Sequence, residues 1–192
     1  MHDIEPFFRW RPYYVASEDE FSPFFGRQYS EFEFSDAIYN YVIHPQWDDF
    51  GSETLYVKVL YADYALGFAF IELLGEWNDA VKNDIMLLKT EVLDPMMQHG
   101  IYKFAFACDN LLNFYVGDDD YYREWYEEIA PSGGWVVFLD TFDHVADEMR
   151  ELDRYVFFGP RWNGYAWRRM RPDAAFEGLQ EMMNRTRKWL TG

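Results

Sequence analysis

From about residue 55 onward the apolar positions switch repeatedly between a period of two and a period near 3.6. Thr54–Tyr64 (TLYVKVLYADY) and Leu66–Leu74 (LGFAFIELL) predict two strands joined by a tight turn at 65–67. The second is almost continuously apolar, as a central strand covered on both faces requires. Asn78 or Asp79 is then placed to cap a helix with Val81, Ile85, Leu88 and Val92 on one stripe, which Pro95 should kink or end and Gly100 should close. Tyr102–Ala107 predicts a third strand and Asp119–Ile129 a helix with acids in its first turn. After the breaker at 131–134 come a strand at Trp135–Leu139, a helix at His144–Leu152, and a strand at Arg154–Phe158. Pro172 opens a last helix with Phe176, Leu179, Met183 and Leu190 inward. Strands alternating with helices predict an α/β fold. Its mixed, mostly parallel sheet has about five strands, because parallel neighbours need a long crossover.

Residues 1–54 follow neither period for long. Glu31–Phe34 alternates and 38–43 is rich in β-formers, while Pro6, Pro12, Pro23 and Pro45 prevent a long helix. Of the first 50 residues, 15 are Phe, Tyr or Trp. So much ring surface must pack on the α/β body or on a second copy. The 192 residues suit one domain, with 1–54 as an aromatic appendage of the body at 55–192.

Charge narrows the partners. The net charge is −17, which makes nucleic acid and anionic membrane surfaces poor partners. Only five of the 17 cations are Lys. Many carboxylates with few lysines fit a salt-tolerant or halophilic bacterium, and the acidity then reports habitat more than ligand. A lone cysteine, Cys108, excludes an intrachain disulfide, MHDIEPFFRWRPYY has no apolar signal core, and no run reaches a bilayer span. A cytoplasmic protein is expected.

Candidate chemistry is sparse. Asp118, Asp119 and Asp120 lie between a strand and a helix, where capping accounts for them better than a metal does. His144 with Asp147, Glu148 and Glu151 reads as a solvated helix face, and Cys108 as a core thiol. His44 reads as a packed histidine; His2 and His99 carry no pattern. The sequence has no G-x-G-x-x-G, Walker A or G-x-S-x-G run, so no catalytic residue, cofactor or metal is assigned. The stretch 161–171 holds Arg161, Arg168, Arg169 and Arg171 without an acid, interleaved with aromatics. These arginines either pair with nearby carboxylates and tie the last helix to the sheet, or form an anion-binding patch.

The element order over Leu55–Leu190 resembles the STAS (anti-sigma-factor antagonist-like) group and related α/β domains, as a topology without a diagnostic motif. The resemblance implies a non-enzymatic regulator that docks a partner through the turn after a central strand. Several members carry an Asp-Ser pair there, whose phosphorylated Ser releases the partner. Here that stretch is Asp109 and Asn110 through Asp118–Asp120. Asp is matched but no Ser or Thr stands beside it, which argues against a phospho-switch. Three functions are therefore expected in order: a regulatory or protein-interaction module, an enzyme with an acidic/Arg site at one sheet edge, and a structural homodimer joined through residues 1–54.

Overall fold

The computed structural model describes residues 4–190 apart from Glu31 and Tyr39, with the side chains of Tyr41 and residues 188–190 also outside the description. The expected inward Leu190, and parts of the alternation at 31–34 and the run at 38–43, therefore lie outside the described residues. β1 (Ala37–Ile38) and β2 (Tyr41–Val42) form a small antiparallel ribbon. The main sheet has the order β3 (Leu55–Asp63), β4 (Phe68–Asn78), β5 (Lys103–Tyr115), β6 (Trp135–Leu139). β3 and β4 are the expected antiparallel hairpin, and β4–β5 and β5–β6 are parallel, with Phe68 opposite Lys103 and Lys103 opposite Trp135. The expected fifth strand at Arg154–Phe158 is reduced to one parallel bridge. Phe157 donates to the Val136 carbonyl at 2.9 Å and accepts from Phe138 at 2.8 Å. A turn at 152–156 leaves room for no more of the ladder, so the sheet has four strands and this bridge.

Side-chain alternation splits the core into two layers. Ile71, Leu73, Phe104, Phe106 and Phe138 face the crossover helices and meet Ile85, Leu88, Val92, Trp125 and Val145. Phe68, Phe70, Ala105, Ala107 and Val137 face the other way and meet Trp10, Trp162, Trp167 and the last helix. The two alanines on β5 let Trp167 and that helix approach the sheet closely, and β4 is buried on both faces as its apolar run predicts.

The first crossover is α1 (Asp84–Leu88), a π-helical turn (Lys89–Leu93) and α2 (Asp94–Gln98). Pro95 does not end the helix. The π turn just before it loosens the chain where the ring would strike a carbonyl one turn back, and helix continues to Gln98. Asn83, not Asn78 or Asp79, is the N-terminal cap residue, and Val81 is exposed rather than on the buried stripe. Residues 78–83 are instead a turn in which Asn78 Oδ1 accepts from Val81 N–H. The later helices α3 (Asp120–Ile129), α4 (Asp143–Glu148) and α5 (Pro172–Leu190) start within one residue of expectation, and Pro172 is the first residue of α5.

The aromatic N-terminal segment packs on this body. Trp10 is buried against Phe70 and Trp167 and donates its indole N–H to the Met170 carbonyl at 2.9 Å. Trp47 does the same to Ile4 at 2.7 Å, and Asp48 adds a bridge along the outer edge of β3 opposite Val57. Phe8, Phe25 and Phe32 remain exposed.

Candidate functional site

β5 runs eight residues past its last pairing with β6, so its carboxyl half has a sheet neighbour, β4, on one side only. The sequence ends this strand at Ala107 because Asp109 and Asn110 are poor strand formers. Two things carry the strand through. Bulges relative to β4 near residue 108 and at Leu112 absorb the extra residues, helped by Gly75. That glycine sits at φ +112°, where an added Cβ would strike the Thr54 carbonyl. The second is a charge clamp at the base of the extension.

Arg168 makes the clamp. Its Nη1 reaches both Asp109 carboxylate oxygens at 3.0 Å, and its Nη2 reaches Glu72 Oε1 at 2.9 Å. Glu72 is the one acid in the apolar run of β4 and is almost fully buried; its second oxygen accepts Phe7 N–H at 2.8 Å. The guanidinium also lies over the Trp167 ring at 4.1 Å. Burial pushes the Glu72 carboxyl upward, opposed by Phe7 N–H and Arg168. Asp140, just beyond β6, holds the left-handed φ of 56° and accepts Gly164 N–H at 2.6 Å. Burial raises its carboxyl too. Thr141 and Asn163 exchange two hydrogen bonds at 3.1 and 2.9 Å. Residues 159–171 are thereby fastened to the middle of β4 and β5 and to the end of β6. Arg168 is paired with two protein carboxylates, so the clamp ties this loop to the sheet.

Outside the clamp the extension presents apolar surface. The bulge turns Leu112 outward, 46% exposed, and the backbone there is held by α4, where His144 Nε2 contacts the Leu112 carbonyl at 2.8 Å. Phe142 stacks on the His144 ring at 5.7 Å and is 43% exposed. Leu112, His144 and Phe142 are thus exposed and linked through the Leu112 carbonyl and the ring stack, with Tyr115 exposed at the strand end and Asp143 exposed between Phe142 and His144.

The sequence-predicted residues separate. Asp109 and Asn110 lie within β5 rather than in a turn, and five more strand residues with Val116 and Gly117, roughly 20 Å of chain, divide them from Asp118–Asp120. Asp119 accepts from Tyr155 at 2.9 Å and Asp120 pairs with Arg123; neither side chain caps α3. Of the four arginines only Arg168 meets Asp109. Arg161 bonds Thr186 at 3.1 Å, Arg171 pairs with Asp173 at 3.4 Å, and Arg169 is exposed. Cys108 is buried, and burial raises its thiol. Asp147 pairs with Arg150, and no cluster able to hold a metal occurs among the described residues.

Sequence reasoning passed over Glu72, Asp140 and the exposed residues Leu112 and Phe142, and read Asp79 only as a helix cap. Glu72 had a signal: a lone carboxylate on the same strand face as Phe68 and Phe70 must find a cation. Asp79 is buried beyond β4. One oxygen accepts Trp77 Nε1 and Ile85 N–H, each at 2.7 Å, and the other accepts Tyr122 hydroxyl at 2.5 Å. Burial lifts its carboxyl to about 6, against these donors. Nearby Asp84, also buried, accepts Asn78 N–H at 2.7 Å.

No family model matches the chain, and no curated protein matches it. No helix among the described residues is long and apolar enough to cross a membrane. Similar solved structures include the following two. One is a protein of Thermotoga maritima assigned as an anti-sigma factor antagonist, at 16% identity over 65% of this chain and 92% of that one, TM-score 0.42. The other is the phosphorylated form of the Bacillus cell fate determinant SpoIIAA, at 9% identity over 54% of this chain and 91% of that one, TM-score 0.39. The likeness is a weak one of fold, in a mixed α/β sheet with helical crossovers.

Proposed function

We propose that this chain is a non-catalytic protein-interaction module that docks a basic partner on the carboxyl extension of β5. The observation that carries the reading is the joint exposure of Leu112, His144 and Phe142, linked through the Leu112 carbonyl and the ring stack, on a strand extension whose base is tied down by the half-buried charge clamp. Contiguous apolar surface ringed by polar groups is the common form of a protein-docking site. Its surround is acidic: Asp143 lies at the patch and Asp118 beyond the strand end, while Asp109 and Asp120 are already paired with Arg168 and Arg123. With a net charge of −17, a partner bearing Lys and Arg around an apolar centre is favoured over a second copy, which would bring equal repulsion. Asp109, Asn110 and Asp118–Asp120 then act as the polar margin of the site, with Asp118 as its unshared acid among them in this reading.

The test is a Leu112→Asp/Phe142→Asp variant, both positions being exposed, against the wild type in a quantitative binding assay with the purified endogenous partner. The variant should bind at least about tenfold more weakly with an unchanged melting temperature. Equal affinity would remove the patch from the site. The exposed rings of Phe8, Phe25 and Phe32 favour a second reading, self-association through the N-terminal layer. Sedimentation equilibrium at high salt, where repulsion is screened, separates the two.

A further inference from the structure

A second surface carries the opposite charge to the rest of the chain. Residues 5–13 and 167–173 together hold five arginines against two acids, in a chain whose 34 acids face 17 cations. The fold brings these two stretches together. Trp10 sits in a turn where Arg11 N–H donates to the Phe8 carbonyl and Tyr13 N–H to the Trp10 carbonyl, and its indole N–H donates to the Met170 carbonyl at 2.9 Å. Phe7 meets the Trp167 ring at 5.0 Å, and the Arg171 guanidinium lies over the Tyr13 ring at 5.4 Å. Arg9 and Arg169 are each next in sequence to an end of the Trp10–Met170 bond, so the arginines of both stretches share one region of the surface.

Arg168 is turned to Glu72 and Asp109 and takes no part. Arg11 pairs with Glu5 at 3.3 Å and Arg171 with Asp173 at 3.4 Å, and all four of these side chains are more than two-fifths exposed. Exposed pairs of this kind contribute little and exchange readily for another carboxylate. Arg9 and Arg169 are exposed, and among the described residues neither has a carboxylate within ion-pair distance. Four exposed guanidinium groups therefore answer two carboxylates, a surplus of two positive charges. Phe8 and Tyr13, each at least half exposed, belong to the same turn. At physiological ionic strength exposed charges beyond about 8 Å are largely screened, so contact here is governed by the local surplus and not by the net charge of −17.

We infer that this surface docks a short acidic segment of a partner protein, with its carboxylates on Arg9 and Arg169 and an apolar side chain against Phe8 and Tyr13. An arginine fork matches a carboxylate with two parallel hydrogen bonds, and aromatic rings beside arginines are the composition that protein interfaces favour. A nucleic acid long enough to span the patch runs on past it and meets the acids of the rest of the chain, whereas a short segment ends within it. The surface is separate from the β5 extension and takes the opposite partner chemistry, so either can fail without the other.

The probe is a fluorescein-labelled peptide, DEDFEDLE, titrated with the full chain at about 0.15 M salt and followed by anisotropy, with NQNFQNLQ as its uncharged counterpart. Amide NMR shifts with the unlabelled peptide locate the contact. DEDFEDLE should saturate with a Kd below about 1 mM and bind at least about tenfold more tightly than NQNFQNLQ, with shifts confined to 8–13 and 167–173. Arg9→Gln/Arg169→Gln, both at exposed positions, should keep the wild-type melting temperature and weaken DEDFEDLE about fivefold or more. The inference is overturned if DEDFEDLE fails to saturate by about 10 mM, if NQNFQNLQ binds as tightly, if the double variant binds unchanged, or if the shifts lie elsewhere. Tighter binding of an oligothymidylate of equal length would give the surface to nucleic acid, and a dimer that the double variant dissolves would give it to a second copy; either result also overturns it.

Discussion

Removing Arg168 should do more damage than removing its buried partner's charge, and removing both should be milder than removing Arg168 alone. In Arg168→Met, Glu72 keeps only the Phe7 N–H and faces an apolar layer with its charge unpaired. Breaking a buried pair from one side costs about 3–5 kcal/mol. Arg168 and Asp109 are each about a third exposed, so solvent reaches that side of the clamp and the low end, about 3 kcal/mol, applies. Glu72→Gln keeps an acceptor for Phe7 and leaves Arg168 with Asp109, a loss of about 1 kcal/mol. Adding Glu72→Gln to Arg168→Met removes the unpaired charge and should restore about 2 kcal/mol. Urea titrations at neutral pH, at constant m, measure all four corners of the cycle. In melting temperature the Arg168→Met loss is about 6–12 °C for a chain of this length. Acid should repair it as well, because protonating Glu72 discharges the buried site. A double variant no more stable than Arg168→Met, or an Arg168→Met loss under about 1 kcal/mol, would show that no buried charge is being neutralised.

Asp79 predicts a pH effect of definite sign. Its carboxyl stands at about 6 in the fold against 3.8 as a free side chain, so its contribution to stability is complete below about 4 and is lost as pH rises through about 6. Asp79→Asn can take both N–H groups on its carbonyl and donate to Tyr122, so it should gain up to about 3 kcal/mol at pH 7 and nothing at pH 4. Equal effects at the two pH values in chemical denaturation would contradict this. The net charge of −17 predicts that the melting temperature rises from dilute buffer to molar KCl as self-repulsion is screened. A flat or falling curve would dismiss adaptation to salt and return weight to the acidic clusters as sites.

The elements whose residues agree with one period were legible from sequence. β6 and α5 fall where their apolar patterns place them, β4 does so except that it runs on from Leu74 to Asn78, and the parallel order follows from the helical crossovers. What was illegible depends on distant partners. β5 continues through Asp109 and Asn110 because Arg168, 59 residues further along, satisfies Asp109, and because β4 supplies a ladder as far as Asn78. Arg154–Phe158 has the composition of a strand, but the turn before it limits the pairing to Phe157. Asp79 looks like a helix cap and does accept a helix N–H, from Ile85. It reaches that group from beyond the helix, because the intervening turn keeps it against Trp77 and Tyr122. The arginine stretch offered two readings, and geometry commits Arg168 to carboxylates while sending Arg161 and Arg171 to separate neighbours.

The docking surface is tested most directly by hydrogen exchange of the chain alone and in complex with its purified partner, resolved to short peptides. The account predicts new protection over 110–115 and 142–144, none over residues 7–34, and progressive loss of that protection as salt screens the acidic margin. Protection confined to the aromatic N-terminal layer, with 110–115 and 142–144 unchanged, would contradict it and place the partner on the opposite side of the sheet's charge clamp.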